Sequence, residues 1–148
     1  LECCQEYVTQ LKINRDQNCF NFHIEPSALS KVPLMQQGWN TFLSGEGSIP
    51  AGYTKVNTIN FEELQSKYNL KYNVVVADCE GALYQILKDD PDILKDIETV
   101  IIENNFHDLA HKKFIDLRFA ENGLHCVYSI SGGWGPCQPF FFQVFSKR

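Results

Sequence analysis

The chain has 148 residues, enough for one domain with a buried core, and we predict a single domain over residues 1–148. Hydrophobic residues make up 44% and charged residues 21%, which is typical of a globular protein and excludes disordered and fibrous classes. The net charge of −5 argues against nucleic acid as a partner, because an acidic surface repels phosphates, and no apolar run approaches the roughly 20 residues of a membrane span.

The six cysteines are the next feature that limits the protein class. No Cys-x-x-C pair with zinc-ligand spacing occurs, two of the cysteines are adjacent, and no secretory signal is visible. This pattern favours reduced thiols over disulfides. We therefore predict a cytoplasmic protein.

The first half of the chain is predicted to contain helices, short strands and one long loop. Apolar residues at helical spacing predict a helix over residues 5–14, and alternation predicts a strand over residues 20–24. Gly, Ser and Pro are frequent between residues 31 and 53, which predicts a long ligand-binding or covering loop. A short strand over residues 56–59 precedes a helix over residues 61–68.

Two residues mark the start of this second helix. Asn60 is a good N-cap, and Glu63 follows it three positions later. Together they predict a capping box, in which each side chain accepts a hydrogen bond from the backbone of the other.

Buried strands and helices are predicted to alternate next. Residues 72–77 and 97–102 are apolar without alternation, which is typical of strands buried on both faces of a parallel sheet. A helix over residues 81–88 separates them, and an amphipathic helix over residues 108–121, stopped by Gly123, follows the second strand.

The C-terminal part is predicted to be a hairpin. Strands over residues 124–130 and 140–145 flank a Gly-rich turn with no helix between them, so they must be antiparallel neighbours. The fold class predicted for the whole chain is α/β, with a mostly parallel sheet and a C-terminal antiparallel hairpin.

Acidic side chains follow several of the predicted strands. Ligands of open α/β sheets bind beyond the carboxyl ends of the strands. The residues found there are Glu2, Pro26, Ser27, Asp78, Cys79, Glu80, Glu103, Asn104 and Asn105. Carboxylates gathered at such an edge bind hydroxyls, hold a metal or accept a proton. For Asp78 and Glu80, stabilisation of the following helix through its dipole is the structural alternative.

Several sequence blocks resemble one family of enzymes. Residues 74–87 (VVVADCEGALYQIL) resemble the block LLKIDVEGAELEVLKG of FkbM-type methyltransferases. Residues 58–64 (TINFEEL) are similar to the preceding TLDDL segment, and residues 27–30 (SALS) to AALSD. Residues 1–14 resemble the family's xEPxxxxxxxLxxN segment, and the sequence before Glu103 resembles its fifth strand. The blocks occur in the family's order along essentially the whole chain.

The resemblance implies a Rossmann-like class I methyltransferase sheet of order 3-2-1-4-5-7-6, with strand 7 antiparallel, and S-adenosylmethionine-dependent O-methyl transfer. It implies that the carboxylate of Glu2 accepts hydrogen bonds from both ribose hydroxyls of the cofactor. Cys3 would lie against the adenine ring, which Ser27 and Ala28 would also contact. Asp78 would lie beside the methionine end and the substrate. We thus expect Glu2, Ser27 and Asp78 to meet at one edge of the sheet.

Two departures from the family accompany the resemblance. Cys79 stands where the family has valine, and no glycine-rich first strand precedes Glu2. Without that strand, strands 2 and 4 would be separated by two inter-strand spacings, about 9–10 Å, with unpaired edges. We therefore expect the natural protein to extend before Leu1.

Further residues are candidates for the chemistry and for the acceptor. Besides Asp78, we consider Glu80 and His107 as catalytic candidates, with His107 as a possible proton acceptor after the fifth strand. Trp39 and Trp134 are candidates for stacking on the acceptor, with core packing as the alternative.

Metal dependence and acceptor class are the remaining expectations. Asp78, Glu103 and Asn104 offer the oxygen ligands that Mg²⁺ prefers. The resemblance implies an acceptor hydroxyl on a glycan or glycosylated metabolite. The alternatives are a metal-dependent, glycosyltransferase-like enzyme that uses Asp78, Cys79 and Glu80, and a non-catalytic binding remnant of the fold.

Overall fold

The computed structural model describes residues 1–38, 40–44, 47–104 and 108–148. The chain is a mixed α/β protein that divides into two compact units, Leu1–Leu70 and Lys71–Arg148. Within the described part of the chain, no helix is long and apolar enough to cross a membrane. Two of the predicted site residues, Trp39 and His107, lie outside the described residues.

The described residues of the first unit form two helices and five short strands. In chain order these elements are α1 (Gln5–Gln17), β1 (Ala28–Leu29), β2 (Leu34–Gln37), β3 (Asn40–Leu43), β4 (Thr54–Val56), β5 (Thr58–Ile59) and α2 (Phe61–Tyr68). The predicted capping box is confirmed, since Asn60 Oδ1 accepts from the Glu63 N–H at 2.9 Å and Glu63 Oε2 from the Asn60 N–H at 3.2 Å. The helix ends at Asn69, which is left-handed with φ 52°.

Two small sheets form in this unit. β1 pairs with β5 in parallel, and β2 lies between β3 and β4 as the centre of an antiparallel sheet. The prediction of a loop with little local structure over residues 31–53 is therefore wrong where β2 and β3 form, because these strands pair with each other residue by residue. Gly38, with φ 58°, lies between β2 and β3 in a conformation that glycine adopts at little cost.

The strand predicted over residues 20–24 is also wrong. The alternation is present, but these residues join none of the sheets formed by the described residues. Phe20 and Phe22 are exposed and lie near each other, with ring centroids 6.4 Å apart. Alternation alone does not make a strand when the chain offers no partner for its backbone hydrogen bonds.

The second unit contains four strands, two α-helices and two short 3₁₀ segments. In chain order these elements are β6 (Val74–Ala77), α3 (Leu83–Asp89), a 3₁₀ turn (Pro91–Leu94), β7 (Thr99–Glu103), α4 (Leu109–Glu121), β8 (His125–Ile130), a 3₁₀ turn (Gln138–Phe140) and β9 (Phe142–Ser146). Gly123, with φ 75°, follows α4 as its predicted stop.

One four-stranded sheet organises this unit, in the order β6-β7-β9-β8. β6 and β7 are parallel, whereas β9 is antiparallel to both β7 and β8. The predicted antiparallel pairing of the last two strands is thus confirmed. Among the described strands the sheet is mixed, with one parallel and two antiparallel pairs.

The two faces of this sheet differ in burial. Val100, Ile102 and Phe145 are buried on one face, where Phe119 of α4 packs on Phe145 with ring centroids 4.7 Å apart. On the opposite face Val76 is 70% exposed, and its cross-strand partner Ile101 is exposed as well. The prediction that these strands are buried on both faces is therefore wrong.

Candidate functional site

The sheet of the second unit brings several predicted site residues to one edge. Because β6 and β7 are parallel, Asp78 and Glu103 both lie at carboxyl ends of strands on that edge. β9 runs the other way, so it begins beside Glu103, which pairs with Phe142. β8 ends there too, since Ile130 also pairs with Phe142. The β8–β9 connection therefore lies at the same edge, which we call the acidic rim, defined by Asp78, Glu80, Glu103 and residues 131–141.

The carboxylates of the acidic rim influence one another. Burial raises the pKa of the Glu103 carboxyl above its ordinary value, and the negative charges of Asp78 and Glu80 raise it further. Like charges disfavour ionisation in this way when they lie close together. The three side chains therefore share one electrostatic environment, as their positions after the strands predicted.

Neutralising Glu103 is expected to stabilise the fold while the pH is neutral. The raised pKa means that the folded state disfavours the charged form of Glu103, so an ionised Glu103 destabilises the fold. This cost is absent below the ordinary carboxyl pKa, and it is fully present once the pH has risen through the raised value. Glu103→Gln should thus raise the midpoint of thermal unfolding at pH 7 but leave it nearly unchanged near pH 4.

The same substitution in an Asp78→Asn background provides the control. Since Asp78 is one of the charges that repel Glu103, the gain from Glu103→Gln at pH 7 should be smaller there. An equal gain in both backgrounds would show that the two carboxylates do not interact.

The turn between β6 and α3 has an unusual backbone. Glu80 and Gly81 are both left-handed, with φ 49° and 81°, and the Ala82 N–H donates to the Cys79 carbonyl at 2.9 Å. For glutamate this conformation is costly, and such residues cluster at binding and catalytic sites. The turn therefore supports a functional role for this segment beyond helix capping.

Cys79 at this turn is not a nucleophile at neutral pH. Burial raises the pKa of its thiol to about 11, and the charges of Asp78 and Glu80 also raise it, against hydrogen bonds from the backbone of Leu83 and Ala82. Thiolate is the reactive form of cysteine, and it is scarce at pH 7 when the pKa is this high.

Asn104 fixes the β8–β9 connection to the end of β7. The residue is fully buried, and its side-chain amide donates to the Phe140 carbonyl at 2.7 Å and to Gln143 Oε1 at 3.0 Å. Its backbone N–H donates to the Phe141 carbonyl at 2.6 Å. Its side-chain oxygen has no partner among the described residues. Asn104 thus acts as a clamp, by which we mean that its hydrogen bonds hold Phe140 and Phe141 at the end of β7.

The predicted Mg²⁺ site includes this residue. The oxygens of Asp78, Glu103 and Asn104 have the chemistry that Mg²⁺ prefers. However, no three His, Cys, Asp or Glu side chains of the described residues are arranged to hold a metal ion. We therefore assign no step of the chemistry to a metal.

Backbone hydrogen bonds within the Gly-rich connection at the rim give this loop a defined conformation. The Gly132 N–H donates to the Gln138 carbonyl at 3.1 Å, and the Gln138 N–H to the Gly135 carbonyl at 3.2 Å. Trp134 at its tip is 59% exposed. The core-packing alternative for Trp134 is therefore wrong, because the residue lies at the surface of the acidic rim.

The first unit holds the residues predicted to bind the nucleoside. The Glu2 N–H donates to the Glu25 carbonyl at 3.1 Å, and the Ser27 hydroxyl donates to Glu25 Oε1 at 2.7 Å. Glu2 Oε1 also accepts from the Cys4 N–H at 2.7 Å, just before α1. Glu2 and Ser27 are thus both hydrogen-bonded to Glu25. Asp78 belongs to the other unit, so the expected meeting of Asp78 with Glu2 and Ser27 stays a prediction.

The other two predicted nucleoside contacts lie in the same unit. Ala28 is in β1, and its N–H donates to the Asn57 carbonyl at 2.8 Å. Cys3 is partly buried, with its thiol 3.7 Å from Gln36 Oε1. Burial, together with the charge of Glu2, raises the pKa of that thiol, so it remains protonated and apolar in character.

Sequence reasoning missed Glu25. Its carboxylate is buried and accepts hydrogen bonds from Ser27, from Lys67 Nζ at 2.7 Å and from the Tyr68 hydroxyl at 2.8 Å. The only local signal is a charged residue between the alternating run and Pro26. Lys67 and Tyr68 lie more than 40 positions away from Glu25, so no pattern in the sequence joins them to it.

Comparisons of the chain with protein-family models, with curated proteins and with solved structures find no match.

Proposed function

We propose that this chain is the cofactor-binding and catalytic part of an S-adenosylmethionine-dependent O-methyltransferase of the FkbM type. The observation that supports the proposal most is the strand order β6-β7-β9-β8 with β9 reversed. That order agrees with the 4-5-7-6 half of the sheet that the resemblance implies. The acidic segment Asp78, Cys79 and Glu80 lies where the family's own acidic block would be, directly after the first strand of that half.

The acidic rim has the chemistry that methyl transfer needs. S-adenosylmethionine supplies a methyl group on a positively charged sulfur. Carboxylates at the rim favour such a cation, and Asp78 is exposed and can approach the acceptor. The acceptor oxygen forms a bond to the methyl carbon as the bond from that carbon to sulfur breaks. In our proposal the Asp78 carboxylate accepts the hydroxyl proton, and the thioether S-adenosylhomocysteine is released.

The first unit would hold the nucleoside. The Glu2 backbone N–H and the Ser27 hydroxyl both donate to Glu25, so the two residues lie on either side of the same partner. In the proposed complex the Glu2 carboxylate accepts hydrogen bonds from the ribose hydroxyls, and Ser27 with Ala28 contacts the base. Cys3 supplies an uncharged thiol beside the ring.

The acceptor is proposed to be a sugar hydroxyl of a glycan or glycosylated metabolite. Trp134 is exposed at the acidic rim, and its indole ring suits stacking on the apolar face of a sugar. The loop that carries it is held in place by the clamp at Asn104. A preformed aromatic surface binds with a smaller loss of conformational entropy than a mobile one.

Calorimetry with the complete protein tests the proposal. We expect S-adenosylmethionine and S-adenosylhomocysteine to bind, with binding heats that ATP does not reproduce. A nucleotide sugar with Mn²⁺ serves as the second comparison, because it is the ligand of a glycosyltransferase-like enzyme. Binding of the nucleotide sugar alone would replace the proposed function by that alternative, and no binding of either cofactor form would refute it.

Replacing Glu2 by alanine is expected to weaken cofactor binding. The loss of hydrogen bonds to a charged group costs about 1–3 kcal/mol, which corresponds to a rise in Kd of about 5- to 150-fold. Titration of the variant with S-adenosylhomocysteine measures the change. Glu6→Ala is the matched control, since Glu6 is an exposed carboxylate in the first turn of α1, the helix that follows Glu2.

Thermal unfolding of both variants separates binding from stability. Glu2→Ala also removes the bond to the Cys4 N–H, so a small loss of stability is expected. An unchanged Kd in Glu2→Ala, or an equal rise in Glu6→Ala, would remove Glu2 from the cofactor site.

A further inference from the structure

Glu25 is a buried charge that the proposed methyl transfer does not use. Its side chain is 5% exposed and accepts hydrogen bonds from the hydroxyls of Ser27 and Tyr68 and from the ammonium of Lys67. Burial raises the pKa of Glu25, but these three hydrogen bonds outweigh burial and hold the pKa below its ordinary value. At neutral pH the group is therefore a carboxylate, which only accepts hydrogen bonds.

This fixes the orientation of the Ser27 hydroxyl. A serine hydroxyl has one hydrogen to donate and two lone pairs that accept. Because Glu25 can only accept, the single hydrogen of Ser27 is committed to Glu25 Oε1 at 2.7 Å. Turning it away would leave a buried carboxylate short of one of its partners, which is costly. Toward any ligand, Ser27 can therefore offer only lone pairs.

We propose that Glu25 is a positioning residue that makes Ser27 an acceptor and so selects a base whose edge presents an N–H donor. The inference rests on the proposed function, in which Ser27 contacts the base of the cofactor. Adenine carries an exocyclic amino group that donates to such an acceptor. Hypoxanthine has a carbonyl oxygen at the same position, and its lone pairs would face those of Ser27.

The same residue sets the distance between the two nucleoside contacts. The Glu25 carbonyl accepts from the Glu2 N–H at 3.1 Å while its carboxylate holds Ser27, so the base contact and the ribose contact are tied to one residue. Lys67 and Tyr68, from the last turn of α2, hold the carboxylate itself in place. Selection of the base and placement of the ribose are thus coupled.

Titration with two forms of one ligand tests the inference. S-adenosylhomocysteine is compared with its inosine analogue, in which a carbonyl replaces the amino group. We expect the intact chain to bind the adenine form at least about tenfold more tightly, the scale of one hydrogen bond to a committed acceptor. In Glu25→Gln the preference should fall to within about threefold, because a side-chain amide can donate to Ser27 and release its hydrogen toward the ligand.

Two more variants separate this role from a structural one. Ser27→Ala removes the acceptor and should also lose the preference, without replacing a buried charge. Lys67→Gln removes the ion pair but keeps the bond between Ser27 and Glu25, so it should keep the preference. If Glu25 had only a structural role, Glu25→Gln would weaken the binding of both ligands equally and leave the ratio of their Kd values unchanged. If Glu25→Gln does not fold, as judged by circular dichroism, Ser27→Ala carries the test.

The outcomes distinguish the two proposals. If the intact chain binds both forms equally, or if Ser27→Ala keeps the full preference, the inference is overturned while cofactor binding stands. A Glu25→Gln variant that folds and keeps the full preference also overturns it. If the intact chain binds neither form, the proposed function fails and the inference fails with it.

Discussion

Replacing Gly133 by alanine is expected to disrupt the loop that carries Trp134. Gly133 has φ 58°, a conformation that strains any residue with a Cβ atom. An added Cβ would lie 2.3 Å from the ring of Phe141, which is buried and has little room to move. Strain and overpacking of this kind each cost about 1–3 kcal/mol, so the midpoint of unfolding should fall by several degrees.

Its neighbour provides a matched control. At Gly132 an added Cβ would lie 3.5 Å from the ring of Phe142, an ordinary van der Waals contact. Gly132→Ala should therefore unfold nearly as the parent does in urea or on heating. Equal losses in the Gly132 and Gly133 variants would contradict the packing of Phe141 against this loop.

The loop variant also tests whether Trp134 acts in recognition. Because Asn104 holds the Phe140 carbonyl from below, a shift of Phe141 should move the loop rather than the end of β7. If Trp134 stacks on the acceptor, Gly133→Ala should raise KM for the acceptor and leave cofactor affinity nearly unchanged. The nucleoside contacts that we assign lie in Leu1–Leu70, so a loss of cofactor affinity in this variant would contradict that assignment.

Local signals predicted part of the fold correctly. The capping box at Asn60 and Glu63 depends on residues three positions apart, and it forms as expected. The hairpin of β8 and β9 follows from a turn without room for a crossover helix. In each case the physical cause lies within a short stretch of sequence, so the sequence suffices to predict the element.

Pairing between distant segments explains which elements could not be predicted from the sequence. The β2–β3 hairpin lies in a segment where frequent Gly, Ser and Pro predict a loop, and its short strands form a sheet by pairing with each other and with β4. Residues 20–24 alternate as a strand does but join none of the described sheets. The exposure of Val76 likewise depends on which elements cover each face, and a run of valines carries no information about that.

The candidate site likewise has one part that the sequence predicts and one part that it does not. The gathering of Asp78, Glu80 and Glu103 follows from the rule that parallel strands end at one edge, and the raised pKa of Glu103 reflects it. The network around Glu25 could not be predicted, because Lys67 and Tyr68 reach it only through the fold. Buried charges need several partners, and those partners come from distant segments.

The largest effect on activity is expected from Asp78→Asn. The substitution preserves size and removes the charge that accepts the acceptor's proton in our proposal. General base catalysis contributes about 10²- to 10⁴-fold to rate, so kcat should fall by at least about 10²-fold. Cofactor affinity should change much less, because the nucleoside contacts that we assign lie in Leu1–Leu70. Transfer of a labelled methyl group and titration with S-adenosylhomocysteine measure the two quantities separately.

The control for this variant removes an exposed aspartate away from the acidic rim. Asp92 lies in the 3₁₀ turn that precedes β7, so Asp92→Asn changes the net charge equally and should leave kcat unchanged. The variant at Asp78 also has a second expected signature. Without the charge of Asp78, the pKa of Glu103 should fall toward its ordinary value, and the acidic limb of the pH–rate profile should shift if Glu103 shares the proton. Full activity in Asp78→Asn would exclude this carboxylate as the base. Another side chain of the rim would then have to accept the hydroxyl proton.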